Sequence, residues 1–455
     1  MAHEIEQVVE RGICIGCGAC SVRTGGRIPV TIGRYGMHQA DLTGVGEADR
    51  RAASRVCPMS DAARNEDDLS TERYPNLPLD PRTGPYREVI AGRLFDDSAL
   101  LDSSSGGLTS FLLRELLRRG DVDGVIHVGR DGDESLFRYR ISTSIAELEA
   151  SKKSAYYSTT FAGVVDKVKG DGRRYAVVGV PCFIKALRLL ASEVPEYENQ
   201  FALYVGLVCG HLKSQFFAES LGWQAGVAPQ DLARMDFRRK NPSRSSGDYD
   251  YEATDTAGRS RVKATAGTID GNWGYGAFQP EGCNFCDDVF AESADVAFAD
   301  AWIPKYVSDW RGTNIVLIRS ELVSRIFAEA RERGEITVDE SSVNDAVQSQ
   351  AGNFRHRRDG LQVRLADDIA DSLSVPRKRV EPGYPVPPSR VALLRQRRSM
   401  SRLSLETFAA AKAAGDFRVY AKPMRKAIAV YNRLSPAPLG ARLKRVVKRA
   451  LRSFR

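Results

Sequence analysis

Apolar and polar positions along this chain follow two periods, and the switching between them organises the sequence. Residues 108–118 place apolar side chains every three to four positions, and Gly120 stops the run, so a helix is expected there. Gly124-Val125-Ile126-His127-Val128 reads as a buried strand. Residues 175–180 form another strand, ending at Pro181-Cys182, and Ile184, Leu187, Leu189 and Leu190 mark the helix that follows. Residues 201–208 give a further strand, ending at Cys209-Gly210-His211. Strands over 294–299 and 315–318 and a helix over 322–333 close the core. This alternation predicts a mixed α/β (α+β) core with substantial parallel pairing. In such sheets, sites form at the carboxyl ends of strands. Cys182, Cys209 and Asp300 all stand at expected strand ends.

The flanks differ from the core. Residues 1–80 hold short β-prone pieces and a helix over 50–56, then a Pro-rich link over 74–81, where a boundary is expected. Residues 340–375 are polar and uninformative. After the prolines of 376–388 the expected unit is a basic helical tail, 376–455. Its last 17 residues segregate cleanly on a helical wheel. Leu443, Val446, Val447, Leu451 and Phe454 share one face, and Arg442, Lys444, Arg445, Lys448 and Arg449 the other. That pattern suits an anionic membrane surface or an acidic protein partner. The expected units are therefore 1–80, 85–180, 181–365 and 376–455.

Charge sharpens this division. The chain of 455 residues carries a net charge of +8. Residues 376–455 hold 21 Lys and Arg against 3 Asp and Glu, and the rest holds 45 against 55. The basic character belongs to the tail, so nucleic-acid binding by the body is not expected. No run of 18 apolar residues occurs and the first residues lack an apolar signal region, so a cytoplasmic protein is expected, peripheral at most at the inner face of the membrane.

Eight cysteines carry the chemistry. Cys14, Cys17 and Cys20 follow a strict Cys-x2-Cys-x2-Cys spacing with glycines between them, and Cys57 precedes Pro58. Such a run with a distant Cys-Pro is how a ferredoxin-like loop wraps a 4Fe-4S cubane. Structural zinc, the alternative, favours two separated Cys-x2-Cys pairs. Cys283 and Cys286 form one such pair, and with Cys182 and Cys209 they make a second set of four. Three further features carry open alternatives. Ser103 to Gly107 opens a helix and suits a pyrophosphate or a plain serine cap. Phe237-Arg238-Arg239-Lys240, a basic run after a helix, suits a phosphate or a solvated face. His211 and Asp300 are candidate proton donors or packing residues. No Gly-x-Gly-x-x-Gly fingerprint indicates a Rossmann dinucleotide site.

In order, these motifs resemble the coenzyme F420 hydrogenase/dehydrogenase beta-subunit family, which includes the 7-hydroxymethyl chlorophyll a reductases. The matching pieces are Cys14 to Cys20 with Cys57-Pro58, Ser105-Gly106-Gly107-Leu108-Thr109, Ser154 to Ser158, Val180-Pro181-Cys182 and Leu207 to His211. Phe237 to Lys240, Cys283 to Asp287 and Asp300-Ala301-Trp302 complete the set. The resemblance implies an iron–sulfur flavoprotein oxidoreductase with two 4Fe-4S clusters on the eight cysteines and FAD in the core. It implies that FAD contacts come from Ser104, Ser105, Gly106, Gly107, Leu108 and Thr109, and from Lys153, Ser154, Tyr156, Ser158, Pro181, Arg238 and Lys240. Ser154-Ala155-Tyr156 stands where the family often has Ser-Lys-Tyr, and Lys152 or Lys153 compensates in this reading. The electron partner would be ferredoxin or the deazaflavin coenzyme, and the substrate that coenzyme or a small organic molecule. Two alternatives stand beside it: an electron-transfer subunit without its own substrate, and a zinc-stabilised binding protein. The first cysteine set is expected to be the outer one, where electrons arrive, with the chemistry at the second.

Overall fold

The computed structural model describes residues 3–131 and 135–435. The first 80 residues form a small helical unit with α1 (Ala19–Arg23), α2 (Glu47–Val56), α3 (Glu66–Arg73) and a two-stranded ribbon, Val30–Ile32 with His38–Ala40.

An eight-stranded sheet follows. Its strands are β1 (Glu88–Leu94), β2 (Gly124–Arg130), β3 (Phe137–Ser142), β4 (Tyr175–Gly179), β5 (Phe201–Leu207), β6 (Val296–Asp300), β7 (Asn314–Ile318) and β8 (Ile336–Ser341). The spatial order is β8-β1-β7-β6-β5-β4-β2-β3. The middle strands β2, β4, β5 and β6 run parallel, and all other pairings are antiparallel. The parallel core follows the expectation, and the antiparallel edges make the sheet mixed.

Alternation along the strands sorts side chains between two faces. Ala176, Val178, Leu203 and Val205 pack under α4 (Leu108–Arg119) and the helix Glu321–Glu332. Ile126, Val177 and Tyr204 pack under α5 (Pro181–Glu193), and the same core takes in Val22, Ala53 and Val56 of the N-terminal unit. The first unit is therefore a layer of the core. The Pro-rich link holds it there: Tyr74 Oη donates to Asp295, and the buried Arg319 donates to the carbonyls of Thr83 and Pro85.

The expectation for 340–375 changes most. That stretch forms helices, including α6 (Ala351–Arg357) and α7 (Asp359–Ala370). The expected tail is also folded as far as Leu434. The helix α8 (Pro388–Ala414) turns at Gly415, where φ is +62°, into α9 (Arg418–Leu434). Met400, Phe408, Tyr420 and Met424 are buried from this hairpin against Phe216 and Phe278. The wheel over 439–455 lies outside the described residues. Among the described residues, no helix is long and apolar enough to cross a membrane.

Candidate functional site: two thiol groups

Cys14, Cys17 and Cys20 lie in a loop that Gly16 and Gly18 turn back with φ of +68° and +99°. A side chain at Gly16 would strike the His38 carbonyl, and one at Gly18 would meet Thr160 Oγ1 at 2.5 Å. The glycines are therefore required by both conformation and space. Cys57 caps the C-terminal end of α2. The fold brings it to the run: the charges of Cys14, Cys17 and Cys57 all act on Cys20. Backbone N–H groups point at these sulfurs. Ala40 donates to Cys14 Sγ at 3.5 Å, and Gly18 and Ala19 donate to Cys17. Met59 and Ser60 donate to Cys57. Burial pushes the Cys57 thiol up to about 12 and Cys20 well above its ordinary range, so without a positive partner the group is a set of neutral thiols.

The second group gathers from three places. Cys182 sits in the first turn of α5, just past β4, and Cys209 just past β5. Cys283 lies in the short turn Glu281–Phe285, and Cys286 ends it. The charges of Cys209, Cys283 and Cys286 act on Cys182. Leu212 N–H donates to Cys283 Sγ at 3.2 Å. This group faces charges of both signs: Arg357 and Lys378 act on Cys286, and Asp288 and Asp287 oppose them. Arg357 of α6 donates to the carbonyls of Cys209 and Gly210, and its charge opposes the burial that pushes Cys209 up to about 11.

The two groups touch. A side chain at Gly282, next to Cys283, would collide with the Ile13 carbonyl and meet Ile15 Cγ2 at 2.8 Å. The charge of Cys17 reaches Cys182. Between them Tyr139 stacks on Phe183 at 5.8 Å, with Phe161 edge-on at 6.0 Å. Phe161 N–H donates to the Cys17 carbonyl, and both Cys17 and Cys182 add to the burial that raises Tyr139. Exposure does not rank one group as the outer one. Cys17, Cys20 and Cys57 are 7–8 % exposed and Cys283 is 8 % exposed, while Cys14, Cys182, Cys209 and Cys286 are half-buried. Among the described residues, no three His, Cys, Asp or Glu side chains converge on the spacing of a single metal ion.

The residues expected around a flavin divide. Ser104 Oγ accepts from Ser154 N–H, and Lys153, at φ +108°, pairs with Asp236 at 3.1 Å. Of these, Lys153 and Asp236 line a cavity of about 380 Å³ whose cations are Arg130, Lys152, Lys153, Arg234 and Arg239. Asp102, Glu149, Asp236 and Glu252 also line it. No serine caps α4: Gly107 is the cap residue, and Asn314 Oδ1 takes the Leu108 N–H from across the sheet. Gly106 and Gly107 instead allow close packing, because a side chain at Gly106 would lie 2.7 Å from the Gly92 carbonyl. Thr109 lies in the first turn of α4.

Arg238 and Lys240 are not a free basic run after a helix. Arg238 lies on the strand Leu232–Arg239 and pairs with Asp300 at 2.8 Å, between the rings of Tyr249 and Trp302. The ammonium of Lys240 donates to the carbonyls of Leu100, Ser105 and Arg311, which uses all three of its N–H groups. Tyr156 packs into an aromatic cluster with Phe217, Phe237 and Trp273, and Ser158 holds His38 of the first unit. Pro181 opens α5. His211 is buried against Trp273 at 4.6 Å and held well below its ordinary range by burial and by Lys213 and Arg397. It is a neutral imidazole beside the second group, which makes it a weak acid at neutral pH.

Sequence reasoning missed the cations around the second group, Arg357 and Arg397. A signal was present. Arg357, Leu361, Arg364, Leu365 and Asp368 recur at helical spacing and are all buried, so arginines occupy an inward face.

Comparisons with known proteins bear on both parts. Two family models match, both of the coenzyme F420 hydrogenase/dehydrogenase beta subunit: the N-terminal one over residues 89–166 and the C-terminal one over residues 172–343. A component of the F(420)H(2) dehydrogenase of Methanosarcina mazei is 23% identical over 356 residues, which cover 74% of this chain and 88% of the relative. An uncharacterized protein of Methanocaldococcus jannaschii is 26% identical over 250 residues, covering 53% of this chain and 83% of that protein. In fold, the chain is similar to a chain of the F420-reducing NiFe hydrogenase complex from Methanosarcina barkeri. The TM-score is 0.50 at 16% identity, with 66% of this chain and 98% of that chain covered.

Proposed function

The chain belongs to the coenzyme F420 hydrogenase/dehydrogenase beta-subunit family, and from that premise we propose that it is an electron-carrying oxidoreductase subunit with two 4Fe-4S clusters and a flavin. The observation that carries the reading is the pair of four-thiol groups, with backbone N–H groups aimed at sulfur and Tyr139 between them. Four thiols with amide donors suit a cubane, whose core keeps its thiolates apart, whereas one ion draws its ligands together. Cys14, Cys17, Cys20 and Cys57 would hold one cluster, and Cys182, Cys209, Cys283 and Cys286 the other. The clusters supply one-electron storage.

The charged cavity lined by Lys152 and Lys153 is the proposed seat of the phosphate end of FAD. Its five cations exceed its four carboxylates, and its volume lies at the small end for a ligand site. A flavin supplies the conversion between single electrons and a hydride. Arg238 and Asp300 fix one another at the end of β6, so their proposed role is to position neighbouring groups, not to donate protons. His211, buried against Trp273, is likewise proposed to pack beside the second group. The substrate proposed is the deazaflavin coenzyme or a small organic molecule, with ferredoxin or a further protein of the complex as electron partner. A cytoplasmic site of action is part of the proposal, as is membrane or acidic-partner contact through 439–455.

The test is oxygen-free purification of the full chain with iron, sulfide and flavin assays and a visible spectrum. About eight irons, eight sulfides and one flavin per chain are expected for two cubanes and FAD. A colourless zinc protein without flavin overturns the proposal.

A further inference from the structure

Residues beyond 343, where the family model ends, build one wall of the second thiol group. Arg357 closes α6 and is 3 % exposed. Its Nη2 donates to the Cys209 carbonyl, but its Nε and Nη1 are buried without a protein partner. Arg397 comes from α8. One of its nitrogens reaches Gln279 Oε1 at 3.3 Å, and its buried Nε has no partner. Buried donors left unpaired are costly, so these N–H groups are built to meet an acceptor. The charges of Cys286, Cys209 and Cys283 act on Arg357, which places its guanidinium against three of the four thiols. The first group has no such wall. Among the described residues, the cation acting appreciably on its thiols is Lys185 on Cys57, and that ammonium already pairs with Glu66 at 3.2 Å.

We propose that Arg357, backed by Arg397, directs its free N–H groups at the sulfur atoms of the second iron–sulfur cluster and makes that cluster easier to reduce than the first. The inference rests on the iron–sulfur reading above. Reduction adds one negative charge, so a fixed cation and N–H donors to sulfur favour the reduced state over the oxidised one. An electron shared between the groups then resides on the second: the first is oxidised by one electron and the second reduced by one. No bond changes and no proton moves. Arg357 is a positioning and tuning residue, and it touches no substrate in this account.

The test is a potentiometric titration of the anaerobic full-length holoprotein followed by electron paramagnetic resonance. Cys17→Ser and Cys283→Ser variants identify which signal belongs to which group. Arg357→Met is expected to lower the second signal's midpoint, shifting electron partition about tenfold or more toward the first group, the scale of one charge-assisted hydrogen bond. The first signal stays in place, and Arg357→Lys recovers part of the shift. If Arg357→Met fails to assemble, Arg397→Met and Arg357→Lys carry the test, each with a smaller shift of the same sign. Two intact signals with unchanged midpoints in these variants overturn the inference. A wild-type chain without iron and sulfide overturns the iron–sulfur reading instead, so the two failures are distinct.

Discussion

Three thiols of the first group lie within one short run, Cys57 joins them from the end of α2, and the group is lined by backbone amides. The second is assembled from β4, β5 and the turn Glu281–Phe285, and is walled by buried arginines from helices about 150 residues downstream of Cys209 and beyond. The same donor atoms thus sit in two electrostatic settings. Amides and glycines suffice to shape a loop round a core. A fixed positive charge requires a folded scaffold to hold it out of water, since desolvating a guanidinium is unfavourable without partners. Local sequence therefore makes three of the first group's four ligands, and long-range packing brings in Cys57 and makes the second group.

This comparison breaks most visibly at the cysteines. Cys17→Ser should remove about half of the iron and leave the second group's signal, and Cys283→Ser should do the converse. Iron and sulfide per chain with spectroscopy read the outcome; loss of both signals from either variant would mean that the groups do not assemble independently. A smaller effect is expected at Arg379. It bridges the N-terminal unit to the second group, contacting Asp67 at 2.8 Å and Glu292 at 2.6 Å. Glu292 is 1% exposed on its side chain. Arg379→Met leaves that carboxylate buried without its nearest partner, and about 3–5 kcal/mol of stability should be lost in denaturant unfolding.

Gly282→Ala comes next, because the added carbon strikes the Ile13 carbonyl and presses on Ile15 beside Cys14. Overpacking of this kind costs about 1–3 kcal/mol. Both groups should shift spectroscopically, whereas Gly16→Ala, against His38, should disturb the first alone.

The smallest effect is expected from mild acid. His211 and His356 beside the second group are held well below their ordinary 6.5 by burial, followed by neighbouring cations. The unfolded chain takes up protons near 6.5 that the folded one refuses. The stability this provides is therefore complete above 6.5 and is lost as pH falls below it. Between pH 7 and 6 the loss is under about 1 kcal/mol per histidine. His3 and His38 of the first unit are likewise held below their ordinary range by burial, so hydrogen exchange should rise with acid around both groups, and unchanged protection around Cys209 and α6 would overturn the prediction.

Much of the architecture was readable from pattern. The strands at 124, 175, 201, 296 and 314 and the helix from Leu108 follow hydrophobic period, and the cysteines at the ends of β4 and β5 lie where the alternation places them. The flavin side was less readable. Tyr156 is drawn into an aromatic cluster and Lys240 into three carbonyls, contacts made by residues remote in sequence. The prolines of 376–388 looked like a break before a tail. Instead Lys378 and Arg379 enter an acidic cleft, and α8 and α9 pack on the core.

The eight thiols and their division into two sets follow from the chain alone, because spacing and glycine content are local properties. So does the order of strands and helices, because period is local as well. The meeting of Cys57 with its run, the contact between the groups through Gly282 and Tyr139, and the arginine wall belong to the fold. Each joins residues far apart in sequence, and whether an arginine is solvated or buried against sulfur depends on what packs over it.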